Sequence, residues 1–284
     1  MILKSLRTYF NNALLGYYPE TEIGSFFNLL TEQILKLKPF EVSLNLYQKV
    51  SGKKYDKYQE AIERLQHYEP IQYILGETEF YGLTFEVNES VLIPRPETEE
   101  LVDWIVKENE SGESISILDI GAGSGCISVS LAKHLVNAKV HALDVSTSAL
   151  KVAQRNAKLN DVEVECIEAD ILNWDIKDLK FDVIVSNPPY VRELEKSEMK
   201  ANVLNFEPHL ALFVEDEDAL LFYNQITKLA SEALKPNGQL YFEINQYLGK
   251  EMKDLLIEHH FDNIELKQDI FGNDRMIKGT KSNL

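Results

Sequence analysis

The sequence predicts an α/β fold: a mostly parallel sheet with helices on both faces, an antiparallel edge hairpin, and a helical bundle in front. Two observations predict it. From about residue 113 short apolar runs alternate with amphipathic stretches, the pattern of strands and crossover helices. Before about residue 75 the apolar period is helical, glycine is scarce and β-branched runs are absent. At roughly 150 residues per domain, the 284 residues make about two domains. The expected boundaries are a bundle over 1–75, a β-hairpin linker over 76–94 and an α/β domain over 95–284.

In the first segment Leu3, Leu6, Tyr9, Phe10, Ala13 and Leu14 recur at helical spacing. So do Ile23, Phe26, Phe27, Leu30, Ile34 and Leu37, ended by Pro39, and Ala61, Ile62 and Leu65 within 58–68. Phe80 to Val87 then alternates, and Asn88-Glu89 reads as a turn before Val91-Leu92-Ile93, which makes a hairpin. Pro94 and Pro96 fix an extended loop, and Pro96 or Glu97 opens a helix carrying Leu101, Val102, Trp104 and Ile105. Strands are expected at 116–120, 139–144, 162–167, 181–186 and 239–244, with helices at 127–135, 148–159 and 220–234. Two closing strands within 264–279 pair around Phe271-Gly272-Asn273-Asp274.

Asp and Glu number 46 against 29 Lys and Arg, a net charge of −17. Such a surface repels phosphate backbones at long range, so no DNA partner is expected, and the excess acid serves solubility. No apolar stretch approaches the ~18 residues of a membrane helix, and no signal-peptide core is expected near Met1, so a membrane is not a partner. Cys126 and Cys166 form no metal-spaced cluster and fit a reducing, cytoplasmic compartment. The histidines offer no His-x-x-x-His pair, so no metal is expected.

Three constellations carry chemistry. Asp119-Ile120-Gly121-Ala122-Gly123-Ser124-Gly125 falls where the first strand ends and a helix begins, the place where an open α/β sheet binds ligands. Asp144 ends the second strand, about twenty residues beyond Gly125, the spacing of an acid that grips a ribose. It also reads as a helix N-cap, with Ser146 as the rival cap. Together these residues indicate an adenosine-containing cofactor, either NAD or S-adenosylmethionine. Asn187-Pro188-Pro189-Tyr190 follows the fourth strand. An amide or exocyclic NH₂ is a poor nucleophile because its lone pair is delocalised. Acceptors holding both N–H groups aim that lone pair, and the Asn187 side-chain oxygen and Pro188 carbonyl supply two. The prolines add no donors, and Tyr190 can stack on the planar group.

With these residues the chain resembles class I S-adenosylmethionine-dependent methyltransferases of the N-methylating kind. More narrowly it resembles the PrmC/HemK family of peptide chain release factor N(5)-glutamine methyltransferases. The narrower likeness rests on Pro70 to Gly76, Phe80-Tyr81-Gly82, Leu92 to Glu99, Phe206-Glu207-Pro208 and Gly272 to Arg275. It implies a Rossmann-like class I methyltransferase sheet and methylation of the glutamine amide in the Gly-Gly-Gln loop of release factors. S-adenosyl-L-methionine is then the cofactor and S-adenosyl-L-homocysteine the product. The resemblance assigns cofactor binding to Gly121, Ala122, Gly123, Ser124, Gly125, Asp144 and Asn187, and amide alignment to Asn187, Pro188, Pro189 and Tyr190. The family often has an aromatic residue directly after the acid that ends strand three, whereas Ile171 follows Asp170 here. That leaves two candidate adenine contacts, Asp170 at the amine and Trp174 folded back over the ring, and Trp174 reads equally as an ordinary packing residue. The helical bundle is expected to recognise the protein substrate, and the enzyme to act as a monomer. The alternative is an N-methyltransferase acting on nucleic-acid amino groups, which share the tetrapeptide; the negative charge and the lack of an Arg/Lys cluster weigh against it.

Overall fold

The computed structural model describes residues 1–284 apart from 177–178, 200, 215–217 and 283–284. The chain forms two compact units. One comprises Met1–Gly76 and the short helix Ala201–Phe206; the other holds the remaining described residues.

The first unit is helical: α1 (Leu3–Leu14), α2 (Glu20–Leu35), α3 (Pro39–Leu44), α4 (Lys53–Gln66) and α5 (Ile71–Leu75). Leu3, Leu6, Phe10 and Leu14 make one buried stripe on α1 and meet Phe27 of α2 and Tyr58 of α4 in a common core. The Tyr58 hydroxyl is buried and donates to Thr31 Oγ1 at 2.8 Å, which removes the penalty of an unpaired polar group there. Pro39, expected to end the second helix, does not: α2 stops at Leu35 with Lys36 in the left-handed region as its cap. Pro39 takes the first position of α3, where its missing N–H costs nothing.

The second unit begins with a hairpin, β1 (Glu77–Phe80) and β2 (Leu83–Glu86). Its turn is Tyr81-Gly82, not Asn88-Glu89 as the alternation suggested. Both turn residues have positive φ, 48° and 73°, the geometry of a two-residue turn whose twist matches the strands. Residues 91–93 form no strand. The hairpin, expected as a separate linker, is bonded into the unit. Asn156 accepts the Glu86 N–H and donates to the Glu86 carbonyl, and Asn160 donates to Thr84 O.

The main elements follow in chain order: α6 (Pro96–Glu108), β3 (Ser116–Ile120), α7 (Cys126–His134), β4 (Lys139–Asp144), α8 (Thr147–Leu159), β5 (Glu165–Glu168), β6 (Phe181–Ser186), β7 (Val191–Arg192), α9 (Ala201–Phe206, in the first unit), β8 (Phe213–Val214), α10 (Leu221–Ala233), β9 (Leu234–Glu243), α11 (Gly249–Glu258), β10 (Phe261–Gln268) and β11 (Asp274–Lys281). The seven-stranded sheet runs β10-β11-β9-β6-β3-β4-β5. β9, β6, β3, β4 and β5 pair in parallel, and β11 is antiparallel to both β9 and β10. The third strand starts at Glu165 rather than Val162. Pro236-Asn237-Gly238, expected to precede the fifth strand, lies inside β9 as an irregularity of its pairing with β6.

Both faces of the sheet are buried, as a parallel sheet requires. Leu118, Ile120, Ile184, Leu240 and Phe242 pack with α10 and α11, while their alternate neighbours Ile117, Val183, Val185 and Tyr241 pack with α6 and α7. Successive strands go to one side of β3 at β4 and to the other at β6. The loops after β3, β4 and β6 therefore flank the crevice where the winding reverses. Among the described residues no helix is long and apolar enough to cross a membrane.

Candidate active site

A cavity of about 360 Å³ opens at that crevice, with Gly121, Gly123, Asp144, Asp170, Asn187 and Pro188 in its wall. The loop after β3 is held against β4, since the N–H groups of Gly121 and Ala122 both donate to Leu143 O, at 2.8 and 3.0 Å. The three glycines have different reasons to be glycine. Gly121 and Gly123 have φ of 76° and 54°, and a Cβ on either would meet nothing within 4 Å. Their constraint is conformational, and they leave backbone open to a ligand. Gly125 faces α8 instead: a Cβ there would lie 2.9 Å from Ala153 Cβ. Of the five loop residues only Gly121 and Gly123 line the cavity. Ala122 and Ser124 are buried and do not line it, and Gly125 packs against Ala153 of α8.

Asp144 Oδ2 accepts the Gly123 N–H and Oδ1 the Ser146 N–H, each at 2.8 Å. The α8 N-cap is Ser146, whose hydroxyl accepts the Ala149 N–H, so Asp144 is free of that task. Burial raises its pKa, opposed by the backbone bonds from Ser146, Gly123 and Val145. A carboxylate has about four lone-pair sites, so these bonds leave acceptor capacity for a diol. Beneath it Asp119 is fully buried. Oδ2 accepts the Ser128 N–H, Oδ1 has no hydrogen-bond partner among the described residues, and burial pushes the pKa up to about 7.

Asp170 lines the cavity. Its Oδ1 accepts the Leu172 N–H at 3.0 Å, and the Asn173 N–H returns to Asp170 O at 2.9 Å. This turn carries Trp174, one candidate for the adenine ring, into a separate hollow beside Glu165, Ile167 and Leu179. Ile171 and Leu172 stand in the cavity wall instead, with Leu143 and Val145. The wall thus offers an acid for a diol, a second acid and aliphatic surface for a flat ring, a set that fits an adenosine group.

Asn187, Pro188 and Pro189 line the cavity. Tyr190, expected to stack on the substrate, turns its hydroxyl to Glu243 Oε1 at 3.0 Å. Asn187 Nδ2 donates to Thr98 Oγ1 at 3.3 Å, and Thr98 Oγ1 donates to Glu243 Oε2 at 2.6 Å. Glu243 ends β9 and is 1% exposed. Burial raises its pKa, and the hydroxyls of Thr98 and Tyr190 and the charge of Arg275 oppose the rise. Thr98 and Glu243 lie in different segments, so spacing along the sequence does not bring them together. Their only signal was an acid at the end of a predicted strand and a threonine between glutamates at a helix start. Glu207 was also missed as a site element. Its buried carboxylate accepts Arg95 Nη2 at 2.6 Å and the Ile93 N–H at 3.1 Å. It thereby joins the segments that bring Ser90, Val91 and Leu92, and Pro208, Leu210 and Ala211, to the cavity wall.

This sheet order, with a glycine loop, a strand-end acid and an Asn-Pro-Pro-Tyr segment around one crevice, defines a methyltransferase of the Rossmann-like class I fold. Residues 17–76 match the PrmC N-terminal domain and residues 98–207 the Methyltransferase small domain. A release factor glutamine methyltransferase of Flavobacterium psychrophilum is 55% identical over 281 residues, 98% of this chain and 99% of the relative. One of Bacteroides thetaiotaomicron is 44% identical over 280 residues, 98% of this chain and 100% of the relative. The fold is shared with the Thermus thermophilus 16S rRNA N2 G1207 methyltransferase solved with AdoMet and guanosine, at 17% identity and a TM-score of 0.53, over 72% of this chain and 49% of that one. The chain belongs to the release factor glutamine methyltransferase family.

Proposed function

We infer that this enzyme methylates the side-chain amide nitrogen of the glutamine in the Gly-Gly-Gln segment of peptide chain release factors, with S-adenosylmethionine as donor. When bound, that cofactor supplies an electrophilic methyl group on a sulfonium sulfur. The residues that would hold it are Asp144 at the ribose hydroxyls, the open backbone of Gly121 and Gly123, and Asp170 with Ile171 and Leu172 around the adenine.

The observation that carries the reading is the direction of the Asn187 amide. Its nitrogen is committed to Thr98, and among the described residues its oxygen accepts no hydrogen bond. That oxygen and the Pro188 carbonyl are acceptors for the two N–H groups of a primary amide. Holding both in one plane fixes where the amide lone pair points, and orientation of this kind supplies most of the rate gain. No strong base is required, because the proton released from the methylated nitrogen passes to water. The helical unit is proposed to recognise the release factor. It exposes Phe40 and Leu44, one turn apart on α3, together with Tyr47, at 67%, 80% and 77%. Exposed apolar groups clustered within one short segment suit a protein-binding surface.

The experiment is incubation of the purified enzyme and labelled cofactor with release factor, total RNA and DNA in parallel. Label in the release factor, lost when its loop glutamine is replaced, is the expected result. Label in nucleic acid alone would overturn the reading.

A further inference from the structure

We propose that Thr98 and Glu243 are positioning residues for Asn187, fixing which end of its amide faces the cavity. The inference rests on the reading of Asn187 as an acceptor for the substrate amide. The two ends of an asparagine amide have nearly the same shape and opposite hydrogen-bonding character. Turned over, the side chain would present N–H groups to the N–H groups of the substrate, and neither would be satisfied.

Contact with Thr98 alone does not choose between the two orientations, because a hydroxyl both donates and accepts. Glu243 chooses. It is buried at the end of β9, and both of its oxygens are taken up by hydroxyl donors, Thr98 on Oε2 at 2.6 Å and Tyr190 on Oε1 at 3.0 Å. Thr98 has one proton and gives it to the carboxylate. Toward Asn187 it offers only lone pairs, so the Asn187 nitrogen must face Thr98 and the oxygen must face away. Thr98 cannot turn aside: it is 2% exposed in the first turn of α6, with its backbone N–H on Arg95 O. Tyr190 acquires a definite task from the same arrangement, as the second donor that holds the carboxylate in place. The consequence for specificity is direct. A site that presents only acceptors to the reacting group admits an amide and rejects a carboxylate, which has no N–H to give.

The test compares Thr98→Val, which keeps the shape and removes the hydroxyl, with Thr98→Ser, which keeps the hydroxyl. Methyl transfer to intact release factor and cofactor binding are measured for each. The assignment predicts that kcat of Thr98→Val falls at least about tenfold while cofactor Kd and the KM for release factor stay within about twofold. Thr98→Ser should recover to within about threefold of wild type. In an Asn187→Ala background Thr98→Val should cost nothing further, because the residue it positions is gone. If Thr98→Val does not fold, Thr98→Ala takes its place in the comparison. Wild-type kcat in the hydroxyl-free variant, or a Ser variant as slow as Val, would overturn the assignment. Wild-type enzyme that does not methylate the factor would contradict the functional reading and this assignment with it.

Discussion

Asp144 Oδ2 accepts the N–H of Gly123 at 2.8 Å, across 21 residues of sequence. This bond ties the glycine loop to the acid that ends β4. Asp144 lies in the cavity wall.

Asp144→Ala should weaken S-adenosylmethionine binding far more than it lowers the melting temperature. Hydrogen bonds to a charged acceptor contribute about 1.5–3 kcal/mol each, so losing even one reduces affinity by roughly tenfold or more. Titration calorimetry on the folded variant checks this. Unchanged affinity would remove Asp144 from the site.

Phe40→Asp combined with Leu44→Asp should raise the KM for release factor and leave cofactor affinity untouched. Both side chains are exposed in the helical unit, so neither change opens a hole in its core. Steady-state kinetics with intact factor decides it. An unaltered KM would assign recognition to another surface.

Asp119 makes stability depend on pH. In the fold it keeps its proton up to about pH 7, whereas its ordinary value is 3.8. Between those values the folded state binds more protons than the unfolded one, so this contribution to stability falls as pH rises and levels off above about 7. At ~1.4 kcal/mol per unit the whole change is roughly 4 kcal/mol. Asp119→Asn keeps an acceptor for the Ser128 N–H and does not titrate. Its stability relative to wild type should therefore climb from pH 5 to pH 7 and stay flat beyond. Urea unfolding across that range measures the difference, and parallel curves would contradict the assignment.

What the sequence made legible is what local spacing controls. The glycine loop, Asp144 and Asn187 each follow a strand whose apolar run is plain, and a parallel sheet brings such strand ends together whatever the details. The hairpin turn was misplaced because alternation continues past Tyr81-Gly82, and the positive φ of Tyr81 leaves no mark in composition. Trp174 lines a neighbouring hollow because a turn anchored on Asp170 carries it there, and only three-dimensional bonding reveals that turn. Thr98 and Glu243 stand 145 residues apart and meet only when α6 packs beside the end of β9. No periodicity announces a buried polar pair of that separation. At Gly125 the spacing shows a glycine but not that its missing side chain makes room for Ala153.

The central claim is that Asn187 aligns a glutamine amide for methylation. Mass spectrometry of release factor peptides, after incubation with wild-type enzyme or Asn187→Ala at saturating cofactor, tests it most directly. A single added methyl on the glutamine of the Gly-Gly-Gln peptide is expected with wild type. With Asn187→Ala the initial rate should fall by a factor of a hundred or more, since several kcal/mol of alignment are lost. Equal methylation of that glutamine by Asn187→Ala, or methyl found on a different residue, would contradict it.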